Sequence, residues 1–207
     1  MKYVFVHGLM QKANAWDIVI ERLDFKDEII CPSLSFNSEN GTFAETYNNF
    51  AEEFNGLPDS INLCGLSLGG LIAIKYTIEN PEKVNSLVLI GTQYKMPELL
   101  MKIQNLFFHL IPKKVFLKQG FDKKQIMNIT KSMYKIDFAK ELKSINCPIK
   151  IICGLKDKAN LKAAKELNKL IKNSSLTLME QTGHAVNEEK PVELAEILTR
   201  FYKELKF

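Results

Sequence analysis

The amino-acid sequence predicts an α/β fold: a doubly wound, mainly parallel six-stranded sheet with a small helical cap insertion. Two observations carry this expectation. Short apolar runs without polar–apolar alternation recur along the chain, as parallel strands covered on both faces require. Between most of them lie segments with apolar residues at helical spacing, so strand and helix alternate.

The predicted strands are 2–8, 28–34, 60–65, 85–91, 149–154 and 175–180, rich in Val, Ile and Leu and mostly stopping at Gly or Pro. Helices are predicted over 13–23, 67–80, 159–173 and 191–205. In the last, Leu194, Leu198, Phe201 and Leu205 recur at helical spacing with charges between them. The alternation stops at 92–146, where helical patterns at 97–111 and 122–136 are separated by Pro112 and Gly120. That stretch carries 11 lysines against four acids, a local charge of +7 that leaves −3 for the remainder. A core of 1–91 and 147–207 with an insertion at 92–146 is the expected division.

Composition narrows the function classes. A chain of 207 residues suits one domain, and 46% hydrophobic with 25% charged residues rules out a disordered or fibrous protein. Lys102 interrupts the greasiest run, so no membrane span is expected, and the N-terminus lacks a signal-peptide pattern, which points to the cytoplasm. Cys31, Cys64, Cys147 and Cys153 lie in or beside apolar runs without a CxxC pair or clustered His. They read as reduced core residues, with no metal site. Of the 28 basic residues 26 are lysine, a bias that codon usage alone can produce, and a net charge of +4 is too mild to imply nucleic-acid binding.

The motif with chemical content is Gly65-Leu66-Ser67-Leu68-Gly69-Gly70, directly after one predicted strand and opening a predicted helix. A serine on so tight a turn is strained, and its neighbours two residues away must lack bulk, a need met by Gly65 and Gly69. The turn lifts the Ser67 hydroxyl above the sheet edge at a helix N-terminus. A chance pattern in a glycine-rich turn is the alternative. A serine needs a base, and three histidines exist. His184 follows the last strand, where ligands bind in such folds, while His7 ends the first strand and His109 lies in the lysine-rich insertion among Phe107 and Phe108. A carboxylate that fixes the base is supplied by Asp157, after the strand 149–154. A helix cap is the other role open to Asp157, and Asp137 of the insertion is a second candidate acid. The order Ser67, Asp157, His184 is the order associated with this elbow.

With VHGLM at 6–10, CGLSLGGLIA at 64–73, NPEKVNSLVLIG at 80–91, GLKDK at 154–158 and TGHAVNEEKP at 182–191, nearly the whole chain resembles the α/β-hydrolase superfamily. The resemblance implies Ser67 as nucleophile, Asp157 as acid, His184 as base, and an oxyanion hole from the backbone N–H groups of Leu9 and Leu68. His7 then orders its turn. The chain starts at the strand that comes third in that family, which again implies six strands, and 92–146 falls where the family places a cap. Leu9, Met10, Leu66 and Leu68 are expected to line the substrate pocket with Phe107 and Phe108 of the cap; plain packing is the alternative for the two aromatics.

The expected activity is therefore hydrolysis of a carboxylic ester or thioester of a small, partly apolar substrate through an acyl-enzyme. No metal or organic cofactor is needed, and the partner is a small-molecule substrate. Two alternatives keep the same residues: a non-hydrolytic lyase of the same fold, and a ligand receptor that retains the triad. If the insertion lysines crowd the site mouth, anionic substrates are favoured; otherwise they form a solvated face.

Overall fold

The computed structural model describes residues 1–34, 41–97, 101–102, 105 and 108–205. Six strands form one sheet: β1 (Lys2–Val6), β2 (Ile29–Ile30), β3 (Ile61–Leu66), β4 (Val84–Ile90), β5 (Ile149–Gly154) and β6 (Ser174–Met179). Their order is β2-β1-β3-β4-β5-β6 and every neighbouring pair is parallel. The apolar runs are sandwiched as their lack of alternation demands, and every residue of β3 is buried. Successive side chains point to opposite faces. Val4, Val6, Leu63, Leu87, Leu89 and Ile151 belong to one apolar layer. Phe5, Cys64, Leu66, Val88, Ile90 and Ile152 belong to the other, with Trp16, Val19, Leu194 and Leu198.

The helices are α1 (Asp17–Ile20), α2 (Phe43–Asn55), α3 (Leu68–Glu79), α4 (Lys113–Lys118), α5 (Lys123–Ser132), α6 (Lys158–Leu170), α7 (Val186–Glu189) and α8 (Pro191–Glu204). Helix α2 is absent from the sequence reading, although its start is written plainly. The Thr42 hydroxyl accepts from the Glu45 N–H while Glu45 reaches back to the Thr42 N–H, and Phe43, Tyr47, Phe50 and Phe54 bury one stripe. Outside 92–146, most predicted ends lie within three residues of the observed ones, and two elements differ more. Strand β2 is two residues long where seven are predicted, because Pro32 has no N–H to continue the ladder at this edge. The predicted helix 13–23 is a 3₁₀ turn over Ala13–Trp16 followed by α1.

In 92–146, α5 ends at Ser132 rather than 136, and the chain returns to the sheet edge through an antiparallel bridge between Lys95 and Asp137. The Met96 N–H donates to the Ile136 carbonyl and the Phe138 N–H to the Tyr94 carbonyl. Residues 101, 102, 105 and 108–110 of the pattern at 97–111 are helical, Pro97 and Ile111 are not, and the rest of that pattern lies outside the described residues. Helix α4, between Pro112 and Gly120, is an element the sequence reading leaves out.

Replacing Thr42 with Ala removes the α2 cap and should lower unfolding stability by about 1 kcal/mol, read as a lower urea midpoint at unchanged slope.

Candidate active site

Ser67 joins β3 to α3 with φ 54° and ψ −112°, a left-handed conformation that L side chains rarely adopt. Its N–H donates to the Ile90 carbonyl at 2.9 Å, and its carbonyl accepts the Leu71 N–H at 3.1 Å. Bare backbones make the turn possible. A Cβ on Gly65 would collide with the Gly69 carbonyl, and one on Gly69 with the Val6 carbonyl, so no other residue fits at either position.

The loops after β5 and β6 are stitched together, the Lys156 N–H donating to the Thr182 carbonyl at 2.8 Å and the Leu155 N–H to that of Met179 at 2.9 Å. This places His184 beside Asp157, with His184 Nδ1 donating to Asp157 Oδ2 at 2.6 Å. Asp157 stands at the N-cap position of α6, but its side chain makes no capping bond. Both its oxygens instead accept from Asn160 Nδ2, at 2.9 and 2.8 Å. Among the described residues Asp157 is the only buried carboxylate, its side chain 5% exposed against 45% for His184. Burial pushes its carboxyl up, but the hydrogen bonds from His184 and Asn160 and the His184 charge outweigh it, holding the group below the ordinary carboxylate range.

Ser67, Asp157 and His184 line one cavity of about 460 Å³. Its walls are largely apolar: Leu9, Met10, Leu68, Leu71, Phe108 and the methionines Met96, Met101 and Met133. Leu68 opens α3, so its N–H belongs to the first turn of the helix, where donors lack helical partners. Leu9 sits in a turn closed by Gln11, whose N–H donates to the Gly8 carbonyl at 3.2 Å and whose Oε1 accepts the Gly8 N–H at 3.1 Å.

Leu66 does not line the cavity. As the strand residue before Ser67 it points to the opposite face with Cys64, buried in the layer of Phe5 and Trp16. Phe107 lies outside the described residues. His7 is buried away from the cavity. Its Nε2 accepts the Leu34 N–H at 3.2 Å, so its proton sits on Nδ1 and faces the Gly8 carbonyl at 2.9 Å; burial lowers its affinity for a second proton. Asp137 is bound to Lys95 at 2.8 Å, outside the cavity. No described lysine lines the cavity either. Lys113, Lys123, Lys124 and Lys131 instead surround a separate depression with His109.

Sequence reasoning missed Gly91, Gln93 and Asn160. Gly91 has φ 53°, and a Cβ there would sit 3.1 Å from His184 Nδ1 and 3.2 Å from Asp157 Oδ2. A glycine at a strand end was its one visible signal. Gln93 and Asn160 showed none, since amides are common at loop and helix starts. Among the described residues no group of three or more His, Cys, Asp or Glu has a metal-binding arrangement, and no helix is long and apolar enough to cross a membrane. The four cysteines are free, burial pushing the Cys31 and Cys153 thiols up to about 12 and that of Cys147 to about 11.

A family profile described as alpha/beta hydrolase fold matches residues 4–128. The chain belongs to the alpha/beta hydrolase family. Similar members include "Uncharacterized hydrolase YugF" of Bacillus subtilis, 26% identical over 97% of this chain and 89% of that protein. A pimeloyl-[acyl-carrier protein] methyl ester esterase of Nitrosomonas europaea is 30% identical over 43% of this chain and 36% of that protein. Among solved structures, a carboxylesterase study of Nitrososphaera gargenis gives a chain with TM-score 0.83 at 19% identity, covering 98% of this chain and 90% of that one.

The lowered Asp157 carboxyl has a consequence for stability. A group whose folded pKa is depressed contributes stability above its ordinary value of 3.8, lost as pH falls through the folded value. Urea unfolding of the native protein and of Asp157→Asn should therefore differ most near neutrality and converge in acid. A constant difference across that range would contradict the geometry.

Proposed function

We propose that the protein is a serine hydrolase that cleaves a carboxylic ester or thioester of a small, largely apolar and uncharged acyl group. Ser67 Oγ attacks the carbonyl carbon, and its proton passes to His184. Asp157 holds His184 with the proton on Nδ1, leaving Nε2 free to accept, and balances the imidazolium that forms. The backbone N–H groups of Leu9 and Leu68 receive the negative charge that develops on the carbonyl oxygen, at the N-terminus of α3. His184 returns the proton to the leaving group; water then repeats the sequence and frees the acid.

The observation that carries the reading is the 2.6 Å bond between His184 Nδ1 and the buried carboxylate of Asp157, at the rim of the same cavity as the strained Ser67. Membership of the hydrolase family supports it, as does the likeness over part of the chain to a methyl ester esterase. The insertion over 92–146 supplies Met96, Met101, Phe108 and Met133 to the cavity and acts as its cap. Flexible thioethers fit irregular apolar chains, and among the described residues no lysine or arginine lines the cavity to pair with an anionic acyl group.

Ser67→Ala should lose p-nitrophenyl ester turnover by at least about a thousandfold while remaining folded, and a fluorophosphonate should label the native serine but not the variant. A folded Ser67→Ala protein that keeps its turnover overturns the assignment. Labelling without turnover of any ester points to a receptor, and activity confined to a carbon acid points to a lyase.

A second expectation concerns the acyl group. A neutral p-nitrophenyl ester of medium chain length should exceed an equally long one ending in a carboxylate by about tenfold or more in kcat/KM, because burying the charge is unfavourable. Equal efficiency would mean that insertion lysines reach the mouth after all.

A further inference from the structure

We propose that Asn160 is a positioning residue for the reaction, its side-chain amide fixed by Gln93 so that its nitrogen, shared between both carboxylate oxygens, holds Asp157 against His184. The inference rests on the triad reading above and goes beyond it, since neither amide belongs to the triad.

The amide orientation follows from one backbone atom. Gln93 lies within 2.9 Å of the Ala159 carbonyl, which can only accept, so the Gln93 group facing it is the NH₂. The same Nε2 lies 2.9 Å from the Asn160 amide, which must therefore turn its oxygen to Gln93 and its nitrogen to Asp157. That nitrogen donates to both carboxylate oxygens, at 2.9 and 2.8 Å. The Asn160 N–H also donates to the Asp157 carbonyl at 3.1 Å, in the first turn of α6, folding the side chain back over residue 157. Asn160 and Asp157 are both buried, so water does not substitute freely for these bonds.

The arrangement suits the chemistry. Asp157 Oδ2 receives the His184 proton donor while Asn160 pins the carboxylate against rotation. Asn160 Nδ2 also lies 3.1 Å from His184 Nδ1. Both nitrogens are donors when His184 bonds to Asp157, so the carboxylate between them is what keeps the three groups together. Without the amide, the carboxylate turns more freely, so His184 is aligned less often and kcat falls, while with one donor fewer the carboxylate favours the charged imidazole more, which moves the acid limb up. The other ionisable groups around the pair are the buried Cys153 thiol, the exposed Lys156 and Lys158 on either side of Asp157, and Glu189, which accepts the Gly183 N–H at 2.7 Å. None of these changes when Asn160 is replaced.

Asn160→Leu keeps the size and the helix while removing the amide. With a neutral p-nitrophenyl ester, kcat should fall about tenfold with KM within about twofold, and the acid limb of kcat/KM should move up by about half a pH unit. A kcat and acid limb equal to those of the native protein overturn the proposal. Should that variant fail to fold, Gln93→Leu tests the same point by releasing the amide to rotate. It should lower kcat by about threefold and move the acid limb in the same direction. An unchanged kcat and acid limb in Gln93→Leu would overturn the proposal. Asp157→Asn in the same assay separates the two levels. If it is inactive while Asn160→Leu is normal, only the role of Asn160 falls; if it is fully active, the triad reading falls and this proposal with it.

Discussion

The left-handed backbone of Ser67 is the constraint around which the centre of the molecule is built. Such a conformation costs about 1–3 kcal/mol and persists only where its surroundings over-determine it. Here the Ser67 N–H is tied to Ile90 at the end of β4, and the turn is pressed against Val6 at the end of β1. Strands β1, β3 and β4 are adjacent, so the serine sits at the middle of the sheet's carboxyl edge. The helix that follows is apolar nearly all round, with Leu68, Leu71, Ile72, Ile74 and Tyr76 buried, which is what a helix in the interior requires. Strain at one residue is thus offset by burial of nine of the next twelve.

Charge is distributed by an equally simple rule. Lysines abound, but the described ones are not buried and none lines the cavity of Ser67, while Asp157 is the one buried carboxylate among the described residues. A buried anion needs donors, and those present are the imidazole that the proposed reaction uses and an amide that the reaction does not consume. The cavity beside them is methionine-rich, and among the described residues its only ionisable side chains are Asp157 and His184. The loops after β3, β5 and β6 bring Ser67, Asp157 and His184 to this space, and 92–146 brings Met96, Met101, Phe108 and Met133.

Much of the fold was legible because parallel strands covered on both faces leave an unmistakable apolar signature, and each of the six predicted strands has its counterpart. Ser67, Asp157 and His184 were legible because strand ends and glycines mark where loops gather, and the structure brings all three to one cavity. Leu66 was misplaced because a one-residue step along a strand reverses the face, a detail a motif does not encode. Helix α2 was overlooked although Thr42 and Glu45 mark its start. Gln93 and Asn160 were not legible at all, since they meet only after β4 and β5 pair. The lysines of 92–146 were visible as charge, but which side of α5 they take depends on packing that composition does not carry.

The proposed reaction requires that Ser67 carry the acyl group during turnover. Its most direct test is to mix the protein with a slowly deacylating p-nitrophenyl ester, quench in acid within the first turnover and measure the mass of the Ser67-bearing peptide. An acyl-enzyme at Ser67 gives that peptide a gain equal to the acyl group, appearing with the burst of p-nitrophenol and disappearing as the ester is exhausted. Steady hydrolysis with Ser67 unmodified throughout would contradict it.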